Sequence, residues 1–271
     1  MNGAKGTAAW VFVASMLVSG MAGPVPARAG TTPQADRARM FETVRHFQGM
    51  GERRTWERQW EAARWIAAEL SSFGVHADIR SYDDHGKPWP NVVAVVLGRK
   101  EPAKIVMAVA HLDSISDSED GSAPGGDDNG SGVAAILEVG RALGGLKPDK
   151  SVYLCVFSNE EVRTAGSRRF ARTARSERKD IEVVVNLDVL AYNRPRSLPV
   201  LKALSSHATW KGKAKGLWRA VRNFLYGLAY GDNVLLVAGK TTERALVRTV
   251  GKEMRRTAGL NVQEVVRDDC G

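Results

Sequence analysis

Ile105-Val106-Met107-Ala108-Val109-Ala110, followed directly by His111-Leu112-Asp113-Ser114, is the stretch that decides the fold class. Its first six residues are apolar without interruption and rich in β-branched side chains, which is typical of a strand buried on both faces of its sheet. Both faces are covered in this way when helices connect parallel strands. The stretch therefore predicts a central strand of an α/β sheet, with a histidine and a carboxylate at its carboxyl end.

The flanking sequence repeats the alternation of helix and strand. Apolar residues at helical spacing predict helices over 36–47, 57–73, 132–143 and 165–175. Alternating or continuous apolar runs predict strands over 75–82, 91–97, 152–157 and 181–187. Strands that alternate with helices imply an α/β fold, with a mostly parallel central sheet covered by helices on both faces, in a single domain.

The N-terminal residues 1–29 have the features of a secretory signal peptide. Lys5 supplies a positive charge, Ala8–Ala22 is an uncharged apolar run, and Ala27-Arg28-Ala29 has the small-x-small pattern that signal peptidases cleave. We expect cleavage after Ala29, export to the periplasm or the extracellular space, and a mature domain of residues 30–271. A retained membrane anchor is the alternative. Because the apolar run is short and interrupted by glycine, we expect no stable membrane insertion after cleavage.

Acidic side chains recur at the ends of the predicted strands and in the glycine-rich segment that follows the His111 strand. The candidates, in chain order, are His111, Asp113, Asp127, Asp128, Glu160, Glu161 and Asp188. The carboxyl ends of parallel strands meet at one edge of a sheet, where imidazole and carboxylate groups can converge on a metal ion.

Each candidate also has an ordinary explanation. A single histidine at a strand end can be a hydrogen-bonded loop residue, and Glu160-Glu161 can be a solvated loop. Either aspartate of the glycine-rich segment, or Asn129, can cap the following helix. In a metal site, one of these glutamates would bind the ion, and the other would take a proton from metal-bound water. Asp113 could accept a hydrogen bond from the second ring nitrogen of His111. The recurrence at successive strand ends favours the metal site.

The ordered motifs Ala110–Ser114, Ala123–Gly132, Phe157–Glu161 and Val185–Asp188 resemble those of the secreted co-catalytic zinc exopeptidases. That family contains bacterial zinc aminopeptidases, carboxypeptidases and glutaminyl cyclases, and the resemblance covers most of residues 30–271. The resemblance implies a first zinc bound by His111, Asp128 and Asp188, and a second zinc bound by Asp128, Glu161 and a late histidine. It implies Glu160 as the general base and Asp113 as the hydrogen-bond partner of His111.

The resemblance fails at the C-terminus. In that family the late histidine lies in a Ser-Asp-His segment shortly after an Asp-Asp-Cys stretch, whereas this sequence ends at Asp268-Asp269-Cys270-Gly271. The other histidines, which are His46, His76, His85 and His207, lack that context. We therefore expect either a C-terminally incomplete domain or one that has lost a ligand and binds one zinc instead of two. An incomplete sheet would also reduce stability and favour aggregation.

Two functions remain open from the sequence. The first is a zinc-dependent exopeptidase, of the aminopeptidase type, that hydrolyses terminal peptide bonds. The second is a non-catalytic or single-metal relative of the same fold, either a binding domain or a cyclising acyltransferase of the glutaminyl cyclase type. Retention of both Glu160 and Glu161 favours hydrolysis, because a binding domain has no use for a base beside a ligand. The expected partner is a peptide substrate. The net charge of +9 indicates a solvated basic surface rather than nucleic-acid binding.

Overall fold

The computed structural model describes residues 9–14, 35–116, 122–191, 234–239, 245, 247–252 and 261–266. The helices with full bounds are α1 (Arg37–Met50), α2 (Trp56–Ser72), α3 (Gly130–Leu143) and α4 (Ala165–Ser176). The strands are β1 (Ala9–Ala14), β2 (His76–Asp84), β3 (Lys87–Val96), β4 (Glu101–His111), β5 (Lys150–Phe157), β6 (Asp180–Asp188), β7 (Val234–Gly239) and β8 (Asn261–Val266).

The strands form one mixed sheet in the order β2-β3-β5-β4-β6-β1-β7-β8. Parallel pairing joins β4 to both β5 and β6, β1 to β6, and β7 to β8. Antiparallel pairing joins β2 to β3, β3 to β5, and β1 to β7. The three parallel strands β5, β4 and β6 therefore end at the same edge of the sheet.

Helices cover both faces of this sheet, as the sequence predicts. Alternate residues of β5 show why: Leu154 and Val156 face the helices α1, α2 and α3, whereas Cys155 and Phe157 face α4. On the α4 side, Phe170 packs on Phe157 with ring centroids 5.4 Å apart. All four of these β5 side chains are buried, so the second half of the strand is apolar because neither of its faces reaches solvent.

The predicted helices and strands between residues 36 and 188 are present, with ends that shift by a few residues. The N-terminal segment adds an element that the sequence did not predict. Residues 9–14, inside the predicted signal peptide, form β1 and pair with β6 from Ala9 opposite Val183 to Ala14 opposite Asp188. Cleavage after Ala29 stays a prediction, and it would remove this strand. Among the described helices, none combines the length and apolar character that crossing a bilayer requires.

Candidate metal centre

The candidate residues lie where the parallel strands end. His111 is the last residue of β4, Asp188 is the last residue of β6, and the Glu160-Glu161 pair follows the end of β5. Because β4 pairs with both of the other strands in parallel, these three ends are adjacent. The sheet thus brings together side chains that are up to 77 positions apart in sequence.

His111 is buried at the centre of this group. Its Nε2 atom lies 3.0 Å from Oδ1 of Asp128 and 3.4 Å from Oδ1 of Asp188. The other ring nitrogen, Nδ1, lies 3.2 Å from the backbone oxygen of Asp113 and 3.6 Å from its carboxylate. A single N–H at Nε2 cannot satisfy two carboxylates, so the site has more acceptors than donors.

Asp188 shows the consequence of that shortage. Its Oδ1 atom is buried and makes no hydrogen bond. A buried carboxylate oxygen without a donor is costly, and a cation between this oxygen, Asp128 and His111 would satisfy all three. The donor set therefore fits a metal ion that accepts nitrogen and oxygen ligands, as zinc does.

Asp113 connects His111 to the glutamate pair. Its two carboxylate oxygens accept hydrogen bonds from the backbone N–H groups of Glu160 (3.0 Å) and Glu161 (3.1 Å). The backbone oxygen of Asp113 is closer to His111 than its carboxylate is. Asp113 thus holds the loop after β5 as well as the imidazole, a task that its spacing from His111 alone did not indicate.

A buried polar network turns the chain toward Glu160. Asn159 has a φ of 52°, a left-handed conformation that asparagine tolerates better than most residues. Its Oδ1 accepts a bond from Gln59 Nε2 (3.0 Å), and its Nδ2 donates to Tyr82 Oη (3.1 Å). The backbone N–H of Ser158 donates to Asn91 Oδ1 (3.1 Å). Sequence reasoning missed these supports, because single polar residues in a helix or strand carry no periodic signal.

The Asp128 loop is fixed by the start of α3. Asn129, rather than either aspartate, is the N-cap: its Oδ1 accepts from Gly132 N–H (2.9 Å), and its Nδ2 donates to Leu187 O (2.9 Å). A Cβ atom on Gly132 would overlap both of these acceptor oxygens. Asp127 instead accepts a bond from the backbone N–H of Ala191 (2.8 Å). The loop is therefore tied directly to the end of β6.

Two groups of described side chains have the geometry to bind a metal ion. They are His111 with Asp128 and Asp188, and His111 with Glu160 and Glu161, with one ligand atom per residue and all atoms of a group within 4.8 Å of one another. The first group is the ligand set that the resemblance implies for one zinc. The second contains both glutamates and His111, and neither group includes a second histidine. His207 and residues 267–271 lie outside the described part of the chain.

Comparisons with known proteins show the family to which this chain belongs. The family model described as peptidase family M28 matches residues 91–234, which is over half of the chain. The chain belongs to this family. A relative in Leptosphaeria maculans, named "Probable zinc metalloprotease", is 31% identical over 146 residues, covering 48% of this chain and 34% of the relative. Aminopeptidase YwaD of Bacillus subtilis is 26% identical over 162 residues, covering 58% of this chain and 33% of the relative.

The fold also matches solved structures. LapB from Legionella pneumophila superposes with a TM-score of 0.62 at 16% identity, over 86% of this chain and 56% of that one. The matched part of this M28 chain spans about a third of the length of the Leptosphaeria and Bacillus relatives. The candidate ligands His111, Asp128, Glu161 and Asp188 lie within the matched residues 91–234.

Carboxylates crowd the M28 site and alter its protonation. Burial raises the pKa of Glu161 to about 7, and repulsion from Asp128 adds to this effect. Burial likewise raises the pKa of Glu160. Burial alone would lower the pKa of His111, but hydrogen bonds to Asp113 and the two nearby aspartates hold it well above its usual range. Metal ligands bind in their deprotonated form, so a divalent cation would compete with protons for these groups.

Proposed function

We propose that this chain forms the catalytic centre of a zinc-dependent exopeptidase, of the aminopeptidase type, that hydrolyses terminal peptide bonds. The observation that carries the proposal is the pair of metal-capable groups that share His111 at the edge of the sheet. The names of the Leptosphaeria and Bacillus relatives support the same chemistry.

His111, Asp128 and Asp188 would bind one ion, and Glu161 would contribute to a second. The resemblance implies two zinc ions, and a single zinc is the alternative for this chain. Bound zinc supplies a Lewis acid for the scissile carbonyl and lowers the pKa of water. Asp128, with 54% of its side chain exposed, lies on the open side of the cluster, where a substrate can approach.

Glu160 is the proposed general base. Its carboxylate would accept a proton from the attacking water and deliver it to the nitrogen of the leaving amine. Its raised pKa makes it a stronger proton acceptor than an ordinary carboxylate. Asp113 holds the Glu160 backbone through the hydrogen bond to its N–H, which limits where the carboxylate can point.

The test compares zinc content and peptide hydrolysis in the wild-type chain and its variants. We expect Glu160→Gln to retain zinc and to lose at least 100-fold in kcat, the usual contribution of a positioned general base. We expect Asp188→Asn to lose zinc as well as activity. Glu177→Gln is a matched control, because that glutamate is exposed and pairs with Lys179 at 3.0 Å, away from the metal-capable groups. Full activity in Glu160→Gln would contradict the proposed base.

Assays on peptides with free and blocked N-termini distinguish the remaining alternatives. An aminopeptidase releases the first amino acid from an unblocked peptide and leaves an N-acetylated one intact, whereas a carboxypeptidase cleaves both. Zinc binding with release of ammonia from an N-terminal glutaminyl peptide, and no free amino acid, would favour the cyclising acyltransferase. Zinc binding without either reaction would favour a binding domain.

We also propose that the chain is exported to the periplasm or the extracellular space. This rests on the charge, apolar run and small-x-small motif of residues 1–29. Expression in a secreting host should yield protein that begins at Gly30 by N-terminal sequencing. Recovery of the unprocessed chain in the membrane fraction would support the anchor instead.

A further inference from the structure

Arg53 lies outside both metal-capable groups and outside the residues that the family model matches. It sits between α1 and α2, and its side chain is completely buried. The guanidinium stacks on the ring of Phe47, with Cζ 4.6 Å from the ring centroid. Burial lowers the pKa of Arg53 to about 10, so the group stays charged at neutral pH. A buried charge of this kind requires specific partners.

Those partners are all backbone oxygens. The Arg53 side chain makes five hydrogen bonds, and no carboxylate of the described residues lies within ion-pair distance of it. The acceptors, with their N···O distances, are the carbonyl oxygens of Leu112 (2.7 Å, from Nε), Phe47 (3.0 Å), Gly51 (2.9 Å) and Pro124 (2.9 Å, these three from Nη1), and Gly125 (3.0 Å, from Nη2). The planar fork thus binds carbonyl groups from separate segments of the chain.

Two of these segments are parts of the connection between β4 and α3, which we call the His111 loop (residues 112–116) and the Asp128 loop (residues 122–129). Leu112 lies between His111 and Asp113. Gly125 precedes Asp128 by three residues, and its carbonyl also accepts the N–H of Gly130 at the start of α3 (3.0 Å). One side chain therefore bonds to both loops, whose tips bring His111 Nε2 and Asp128 Oδ1 to 3.0 Å.

A second set of hydrogen bonds, from the backbone of Arg53 through Ser114, also joins the His111 loop to the Asp128 loop. The N–H of Arg53 donates to Ser114 Oγ (3.1 Å), and that hydroxyl donates to the carbonyl of Ala123 (2.9 Å). Ser114 is in the His111 loop, and Ala123 is in the Asp128 loop. Space at the junction is limited, because a Cβ atom on Gly125 would overlap Nη2 of Arg53. We call Arg53 and Ser114 together the loop brace.

We infer that Arg53 is a positioning residue that holds the His111 loop against the Asp128 loop and so sets the zinc affinity of the centre. The inference rests on the proposed function in taking these loops as ligand-bearing. If Arg53 were purely structural, replacing it would lower the free energy of unfolding without changing how the folded protein binds metal. A positioning residue changes the metal site of the folded protein itself, because hydrogen-bonding partners outside the ligand set orient the ligands.

The experiment uses the full chain with Arg53→Lys, which keeps the charge and loses the planar fork. Arg54→Lys is the matched control, because the neighbouring arginine is exposed. Zinc affinity is measured by competition with a chelating dye, at a temperature where circular dichroism shows each protein to be folded. We expect Arg53→Lys to bind zinc about 10- to 100-fold more weakly and Arg54→Lys to match the wild type. The visible absorption of the cobalt-substituted protein should change in Arg53→Lys alone.

Ser114→Ala provides a second, smaller change to the loop brace. It should weaken zinc binding in the same direction, and it decides the question if Arg53→Lys does not fold. Zinc affinity within twofold of wild type in a folded Arg53→Lys, or in Ser114→Ala when the lysine variant does not fold, would overturn the inference.

The outcomes also separate the inference from the proposed function. Wild-type protein that binds zinc but hydrolyses no peptide would reject the exopeptidase and leave the loop brace to be judged on affinity. Wild-type protein that binds no zinc would reject both. Hydrolysis by wild type with unchanged zinc affinity in the folded lysine variant would reject the loop brace alone.

Discussion

Several single residues in this protein take their roles from contacts with backbone groups of distant segments. The acidic residues at the strand ends could be predicted, because the period of each strand shows where it ends and which residues come next. The hydrogen bonds between Asp113 and the loop after β5 and the role of Arg53 could not, because both residues bind backbone groups of distant segments and such contacts leave no pattern in the sequence. The N-cap of α3 could not be assigned among three adjacent candidates: Asn129 performs it, and the preceding aspartates make other contacts.

Glu138 offers a test of stability at the residue scale. This buried carboxylate accepts hydrogen bonds from Arg141, Arg39 and the N–H of Asp36, joining α3 to the start of α1. Burial opposes ionisation, yet these bonds outweigh it and lower the pKa of Glu138 to about 2. Because the folded-state pKa is below that of the unfolded chain, the stabilisation is complete above about pH 4.5 and is lost as the pH falls toward 2.

We expect Glu138→Gln to lower the free energy of unfolding by about 2 kcal/mol at pH 7. Urea unfolding at pH 7 and pH 3 should show the difference from wild type shrinking at the lower pH. Glu42→Gln is the control, because Glu42 pairs with Arg45 at the surface, at 3.6 Å, and should change stability by less than about 0.5 kcal/mol. An equal loss at both pH values would contradict the ionisation argument.

At the scale of elements, the sequence predicted existence and type better than pairing. The alternation of strands and helices suggested mostly parallel neighbours, whereas β3 runs antiparallel to both β2 and β5. A tight turn at His85 and Gly86, both with positive φ, joins β2 to β3 without a helix. β4 follows β3 closely in sequence but lies on the far side of β5, an order that local patterns do not encode.

The free energy of unfolding should depend more strongly on the N-cap of α3 than on the N-cap of α2. Asn129→Ala removes the cap of α3 and leaves the carbonyl of Leu187 without its side-chain donor. We expect a loss of about 2–3 kcal/mol in urea unfolding with chelator present. Thr55→Ala, at the exposed start of α2, where the Oγ to Arg58 N distance is 3.4 Å, should cost about 1 kcal/mol or less. Asn129→Asp keeps the cap and loses the donor, so it should fall between wild type and Asn129→Ala. Equal effects at the two helix starts would contradict the link to β6.

At the scale of the whole molecule, the metal centre should couple to global stability. Several carboxylates converge on His111 with too few donors, so the metal-free protein carries a repulsion that zinc removes. At a free zinc concentration of about 100 times Kd, binding adds about 2.7 kcal/mol, which raises Tm by about 5–10 °C. Calorimetry with zinc and with chelator would measure the difference, and Asp188→Asn should abolish most of it. Equal Tm values for the wild type in both conditions would contradict zinc binding at this site.

The N-terminal strand provides a second test at this scale. β1 lies between β6 and β7, so a chain that begins at Gly30 lacks the partner of Val183–Asp188. We expect the backbone amides of this segment to exchange with deuterium faster in the shortened chain than in the full chain, since an unpaired strand edge is open to solvent. Unchanged exchange would show that β6 does not depend on β1. Light scattering on the same samples would measure the predicted tendency to aggregate, and urea unfolding would measure the predicted loss of stability.

The thiol of Cys155 is a chemical probe for opening of the folded protein. The thiol lies in the middle of β5, buried on the α4 side of the sheet, and burial raises its pKa. Alkylation requires an accessible thiolate, so the folded protein should resist iodoacetamide and react only when the sheet opens. With Cys270 replaced by serine, Cys155 is the only thiol of the chain, and its labelling rate reports the population of the open form. If zinc holds the strand ends together, that rate should fall as zinc is added.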